Sequence, residues 1–435
     1  MNGVRRGRLA AAAATLALAI VASARSSGQA GAAFVGTIDE HPAIDYVARP
    51  SSDRVALLNR AITAGQQSLS RDPRFGYLRS VLEALGVPLE SQILVFSKTG
   101  VQRDLTGPAN PRALYFSDQV VVGYIAGAPM LEIAAQDAQQ GIQFYTVDQN
   151  AEGRATISRR TECLTCHISL STLEVPGVID RSNMVRSDGG VMPRLGSFTV
   201  NHQTPHTDRW GGWFVTADAT APAYIQLGNL GNTTVAEHPT SGPALFSNHV
   251  FTEWIDQPSQ TRRYPSELSD ITSLMMFDHQ MHAMNLLTRL NWEARVVAAA
   301  GRLDPQAAGM RRRVEELADY LLFVGEAPLA LTVTPRPGLA EYLAARTPHD
   351  RKGRSLGQFD LEQRLMRYPC SYMIYSPAFD GLPPALKRAV YRRMHTILSG
   401  AVRDSRYTHL SPVSRDAILG ILRETKPDFA PSVSE

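Results

Sequence analysis

Ile142-Gln143-Phe144-Tyr145-Thr146-Val147 is the stretch whose reading decides the fold class. β-Branched and aromatic residues dominate it, so it reads as a strand. Val120-Val121-Val122-Gly123-Tyr124-Ile125 and Ile93-Leu94-Val95-Phe96 read the same way, and residues 130–135 offer a further strand. Turn residues such as Gly107-Pro108 and Ala128-Pro129 separate these runs. Strands joined this closely predict a small antiparallel sheet. Upstream, over residues 51–87, the period is helical: Val55, Leu57, Leu58, Ala61 and Ile62, then Tyr77, Leu78, Val81, Leu82 and Leu85, recur at three and four. Ser51 or Ser52 followed by Asp53 marks a helix start, and Gly86 a stop.

The sheet leads directly to Cys163-Leu164-Thr165-Cys166-His167. Two thiols three positions apart can each add across a haem vinyl group, and the adjoining imidazole then reaches the iron. Cys-x-x-Cys alone also suits zinc or a redox dithiol. A four-cysteine zinc site is impossible here, because the only other cysteine is Cys370. The spacing therefore predicts one covalently bound haem c held by Cys163 and Cys166, with His167 as proximal iron ligand. Cys370, in Tyr368-Pro369-Cys370-Ser371-Tyr372, reads as a buried, inert thiol.

The N-terminus agrees with that chemistry. Arg5, Arg6 and Arg8 precede an apolar run over residues 9–22, and Ala22-Ser23-Ala24 supplies small residues at cleavage spacing. This is the layout of a signal peptide over residues 1–24, and the run is short of the roughly 20 residues that span a bilayer. An exported, periplasmic location follows, on the side of the membrane where haem is attached to thiols. Removing residues 1–24, with three Arg and no acid, leaves 41 of the 44 bases against 41 acids. That balance gives no reason to expect nucleic acid as a partner, and no later run is apolar enough for an integral membrane segment.

Residues 168–250 are rich in loops, with short β-prone pieces at Gly196-Ser197-Phe198-Thr199-Val200 and Gly212-Trp213-Phe214-Val215-Thr216. Beyond about residue 266 the chain turns helical. Residues 270–300 are apolar nearly all round, the pattern of a buried helix, with Gly301 as its stop. Asp304-Pro305 predicts a helix to Gly325, and residues 384–398 and 411–424 predict two more. The side of the iron opposite His167 has several candidates: His202, with Met192 in Gly190-Val191-Met192-Pro193 as the alternative, then His206, His279, His282 or no protein ligand. Asp278, His282, Asn285 and Arg289 share one helical face. They form either a wall of the haem pocket, with Arg289 as candidate propionate partner, or an internal hydrogen-bond network.

The haem motif together with Pro111-Arg112-Ala113-Leu114-Tyr115-Phe116, Arg209-Trp210-Gly211-Gly212-Trp213, Asn285-Leu286-Leu287-Thr288-Arg289 and Arg367-Tyr368-Pro369-Cys370-Ser371-Tyr372 resembles large exported bacterial proteins described as cytochrome c domain-containing. The resemblance covers most of the mature chain. It implies haem binding and electron transfer, with no substrate assigned. The strands ahead of the motif depart from the all-helical small cytochrome c fold and are faintly similar to the cytochrome P460 type. The expected fold is α+β: a small antiparallel sheet leading into a c-type haem site with a loop-rich pocket, then a mainly helical C-terminal region. Its expected divisions are a signal peptide (1–24), an N-terminal helical region (25–110), a haem-binding region of strands and loops (111–250) and a mainly α-helical region (251–435). The expected function is electron transfer by an exported monohaem c-type cytochrome working with a redox partner protein. The alternative is a single-haem oxidoreductase, peroxidase-like or acting on a small nitrogen compound, with an open distal site.

Overall fold

The computed structural model of the chain describes residues 37–151, 154–186, 188–216, 263–266, 268–329, 333–334 and 337–434. The expected signal peptide and residues 217–250 of the loop-rich stretch lie outside them. In chain order the described elements are α1 (Arg54–Thr63), α2 (Leu78–Leu85), β1 (Ile93–Val95), β2 (Arg112–Phe116), β3 (Val120–Tyr124), β4 (Met130–Asp137), β5 (Gly141–Asp148), β6 (Ile157–Arg159), α3 (Leu164–His167), β7 (Arg181–Asn183) and β8 (Ser197–Thr199). Then come α4 (Ile271–Ala299), α5 (Ala308–Leu321), α6 (Leu339–Arg346), α7 (Pro377–Asp380), α8 (Pro384–Leu398), α9 (Pro412–Thr425) and α10 (Phe429–Ser434). The fold is α+β, as expected.

Strands β1 to β6 form a meander in which each is antiparallel to the next. Register places Leu114 opposite Gly123, Gly123 opposite Glu132, and Ala134 opposite Phe144. Because side chains alternate along a strand, these residues share one face with Ile93, Phe116, Val121 and Ile142. The other face carries Leu94, Ala113, Tyr115, Val122, Tyr124, Ile133, Tyr145 and Val147, and α1 and α2 pack there in a core of their own. Asp53 caps α1, accepting from the amides of Val55 (2.8 Å) and Ala56 (3.0 Å). Gly86 ends α2 in the left-handed conformation, φ 63°. Leu57, counted above with the apolar period, is exposed, since the helix face it occupies turns from the sheet.

The first face meets α4, which starts at the Asp270 cap (Ser273 amide, 3.0 Å) and is buried on all sides over most of its length. Phe116 meets Phe277 edge-on at 5.3 Å between ring centres, and Gln136 Nε2 donates to Thr288 Oγ1 at 3.2 Å. The sheet is therefore covered on one side by the early helices and on the other by α4, which α5, α8 and the remaining late helices enclose. The helix expected from Asp304-Pro305 to Gly325 is shorter, Ala308–Leu321. Asp304 instead closes a turn, accepting from the Gln306 amide at 2.8 Å. Cys370 is fully buried, and burial pushes its thiol pKa up, consistent with an inert core residue. Among the described residues no helix is long and apolar enough to cross a membrane.

Candidate functional site

The chain leaves β6 alongside β5, with the Arg160 amide donating to Phe144 O at 2.8 Å, and then folds Cys163-Leu164-Thr165-Cys166-His167 into a single helical turn. Amide bonds from Cys166 (3.2 Å) and His167 (3.0 Å) to Cys163 O close that turn. A spacing of three on such a turn sets both thiols on one side. Cys163 is half-buried against the main core, Cys166 is exposed, and both are free.

His167 is the most tightly held group of the motif. Its Nδ1 lies 2.8 Å from Gly177 O, the Gly177 amide donates to His167 O at 3.0 Å, and its ring packs on Phe144 at 4.6 Å between centres. Thr172 Oγ1 adds a bond to His167 O at 3.1 Å. A return this tight needs Leu173 and Glu174 in the left-handed region, φ 60° and 63°. Such backbone strain in side-chain-bearing residues costs roughly 1–2 kcal/mol each, and bonds such as Glu174 amide to Ser169 O (2.8 Å) offset it. Helix α4 supports the returning segment: Asn285 Nδ2 donates to Val178 O at 3.0 Å, and Gly177 passes so close to Asn285 and Thr172 that a side chain there has no room.

Burial holds the His167 pKa below its ordinary value, so the ring is neutral at pH 7. With Nδ1–H committed to a carbonyl, Nε2 carries the lone pair, and it makes no hydrogen bond among the described residues. That is the arrangement of a histidine prepared to ligate a metal through Nε2. The residues present fit a haem c: two thiols on one turn, and a neutral, oriented imidazole beside them. Leu170, 84% exposed just past His167, adds an uncovered apolar group to the same segment. Among the described residues no three His, Cys, Asp or Glu side chains converge as a metal-ion cluster.

The other candidates sit elsewhere. His202 is buried with its Nδ1 2.7 Å from His279 Nδ1, and it stacks on Tyr320 (4.1 Å) and Phe323 (5.0 Å). His279 Nε2 continues to Ser371 Oγ at 2.6 Å. His202 Nε2 is buried without a partner. These contacts join His202 to α4 at His279, whereas the His167 loop meets α4 at Asn285, six residues or about 9 Å further along the axis. Met192 is half-buried in a turn, its amide on Met184 O at 2.8 Å. His206 lies against Trp210, with ring centres 5.7 Å apart. Burial lowers the pKa of each buried ring, His206 and His279 to about 3 and His282 to about 4.

The polar stripe of α4 divides. Asp278 accepts from Arg209 Nη1 (2.9 Å) and Trp210 Nε1 (3.1 Å), and its carboxyl hydrogen-bonds that of Asp180. Burial first, then Asp278, push the Asp180 pKa well above the carboxylate range, so this carboxyl holds the shared proton. Arg289 pairs with Glu316 at 2.5 Å, tying α4 to α5, while its Nε is buried without a partner. Asp278, Asn285 and Arg289 are thus network members, and only Asn285 touches the segment that holds His167. Sequence reasoning missed Gly177 and Phe144 as neighbours of His167; Pro176-Gly177, a turn signal soon after the motif, was the available hint.

A cleft between β2, α4 and α6, lined among others by Phe116, Asp118, Gln280, Tyr342, Arg346 and Tyr372, takes no residue from the motif. No family model, no curated protein and no solved structure matches this chain.

Proposed function

We propose that this chain is an exported monohaem c-type cytochrome that transfers electrons through a haem bound covalently at Cys163 and Cys166. The observation that carries the reading is the His167–Gly177 bond, which leaves a neutral imidazole with a free Nε2 beside two thiols on one turn. When bound, haem supplies a one-electron Fe(III)/Fe(II) couple. The chain's own part is positional. Cys163 and Cys166 would hold the haem covalently and His167 would offer Nε2, while Gly177 O orients the ring and Thr172 and Asn285 fix the backbone around it. Phe144 and the core beneath it keep water from the buried side of the imidazole. The partner on this reading is a redox protein, and the location is periplasmic.

One observation favours a second reading, a single-haem oxidoreductase acting on a small molecule. His202 is bonded to His279 and the Met192 amide to Met184 O, so the contacts that hold both candidates lie outside the segment that holds His167. Absorption and EPR spectra of the ferric and ferrous protein, with and without carbon monoxide and cyanide, separate the two. A low-spin spectrum insensitive to both ligands supports the carrier. A high-spin ferric signal with rapid ligand binding supports the enzyme and counts against pure electron transfer.

A further inference from the structure

The sheet face that packs on α4 does so over only part of its area. Phe116, Val121, Ile142 and Phe144 are buried beneath the helix. Next to them Leu114 and Ala134 remain half-buried, although both are apolar and both lie on this face. Gly123, buried on the same face, stands opposite Leu114 and diagonal to Ala134, and a Cβ there would touch Glu132 O and Leu114 Cδ2 at 3.5 Å and Arg112 Cδ at 3.6 Å. Arg112 edges this strip, held by Glu132 Oε2 at 3.1 Å and Thr99 Oγ1 at 2.8 Å, with its Nε buried and unpartnered.

The strip adjoins the thioether turn. Phe144, directly opposite Ala134, carries the His167 ring. Cys163 packs against the same core as Leu114, Ala134 and Leu173. The charge of Glu132 is felt at both Cys163 and His167, and that of Arg112 at His167. Two half-exposed apolar side chains beside an attachment point offer contact to the group attached there.

Resting on the haem reading above, we infer that the strip formed by Leu114, Gly123 and Ala134 is where the porphyrin bound at Cys163 and Cys166 packs, with the Arg112 guanidinium at its edge as the cation facing a propionate. The haem is the occupant because the strip, the thiols and the iron ligand meet at Phe144 and Glu132. Both cations are ion-paired, but Arg289 pairs with Glu316 at the α4–α5 contact, whereas Arg112 and its partner Glu132 lie on the sheet face that carries the strip.

The test uses full-length protein matured with its haem, beside a haem-free Cys163→Ser/Cys166→Ser version. Methyl NMR signals of Leu114 and Ala134 are compared between the two. Large ring-current or paramagnetic shifts confined to the haem-loaded form support the inference. Unchanged Leu114 and Ala134 methyls, with the shifts falling on other methyls, overturn it, and so does coverage of the strip by residues 217–262 in both forms. An Ala134→Leu variant adds bulk at a half-exposed position of the strip. It is expected to keep the melting temperature of the haem-free chain, yet to alter the Soret circular dichroism of the loaded chain. An unaltered Soret signal also overturns the inference. Failure of the haem reading itself looks different, because the wild-type chain then gains no haem mass at all.

Discussion

Asn285 and Gly177 are in van der Waals contact so close that neither side of the pair can grow, and through this contact α4 reaches the carbonyl that orients His167. A core helix thereby sets the position of an imidazole on a surface-proximal turn.

Asn285→Ala removes the donor to Val178 O without adding bulk beside Gly177. A buried carbonyl left without its partner costs about 1–3 kcal/mol. Urea unfolding should show that loss, and a redox titration should show a shifted potential, since the carbonyl on His167 Nδ1 is free to move. Unchanged stability and potential would remove Asn285 from the account.

Gly177→Ala adds one methyl where Thr172 Cβ already lies 2.9 Å from the position it would take. Overpacking of this kind costs about 1–3 kcal/mol. Retreat of the loop breaks the bond to His167, so the loaded variant should show weakened axial ligation in its absorption spectrum. A variant with native spectrum and stability would mean that the loop is not packed as described.

The buried carboxyl pair gives a prediction with a definite sign. Asp180 stays protonated in the folded chain above the 3.8 at which it ionises when unfolded. The folded state therefore holds a proton that the unfolded state releases, and this contribution falls as pH rises above about 4. Asp180→Asn mimics the protonated acid, so its stability relative to wild type should grow as pH rises from 4 to 8. Asp278→Asn instead strands the buried Arg209 charge and should cost about 3–5 kcal/mol. Equal effects of the two substitutions would contradict a single shared proton.

Acid acts through the histidines in the opposite direction. His167, His202, His206, His279 and His282 all have folded values below 6.5, with His279 at about 3 and His282 at about 4. The unfolded chain takes up protons below pH 6.5 that the folded chain refuses, so stability is full above that pH and is lost as pH falls toward 4. Five rings outweigh the protons that buried Asp180 and Glu326, the latter raised by burial to about 7, hold over this interval. The urea midpoint should drop between pH 7 and pH 5; a flat or rising midpoint would contradict burial of the rings.

Much of the architecture was readable from local pattern. Asp53, Gly86, Asp270 and Ser411 mark helix ends because capping chemistry is local. Four of the six meander strands announced themselves through β-branched residues. Strand β2 escaped because Arg112-Ala113-Leu114-Tyr115-Phe116 meets packed layers on both faces and shows no clean alternation, and β6 is three residues long. At the candidate site, Cys163, Cys166 and His167 stand out in the sequence because the motif that proposes them is contiguous. Phe144, Gly177 and the α4 contact were not, since each depends on which sheet face meets the motif. Arg289 was singled out by helical spacing, which tells which residues share a face but not that Glu316 would meet it.

The most direct measurement is the intact mass and pyridine haemochrome spectrum of mature protein exported alongside a working haem-attachment system. The account predicts a mass gain of one haem and a spectrum of two thioether links, with the single variants Cys163→Ser and Cys166→Ser shifted to one link or none. A colourless wild-type protein of unmodified mass would contradict it.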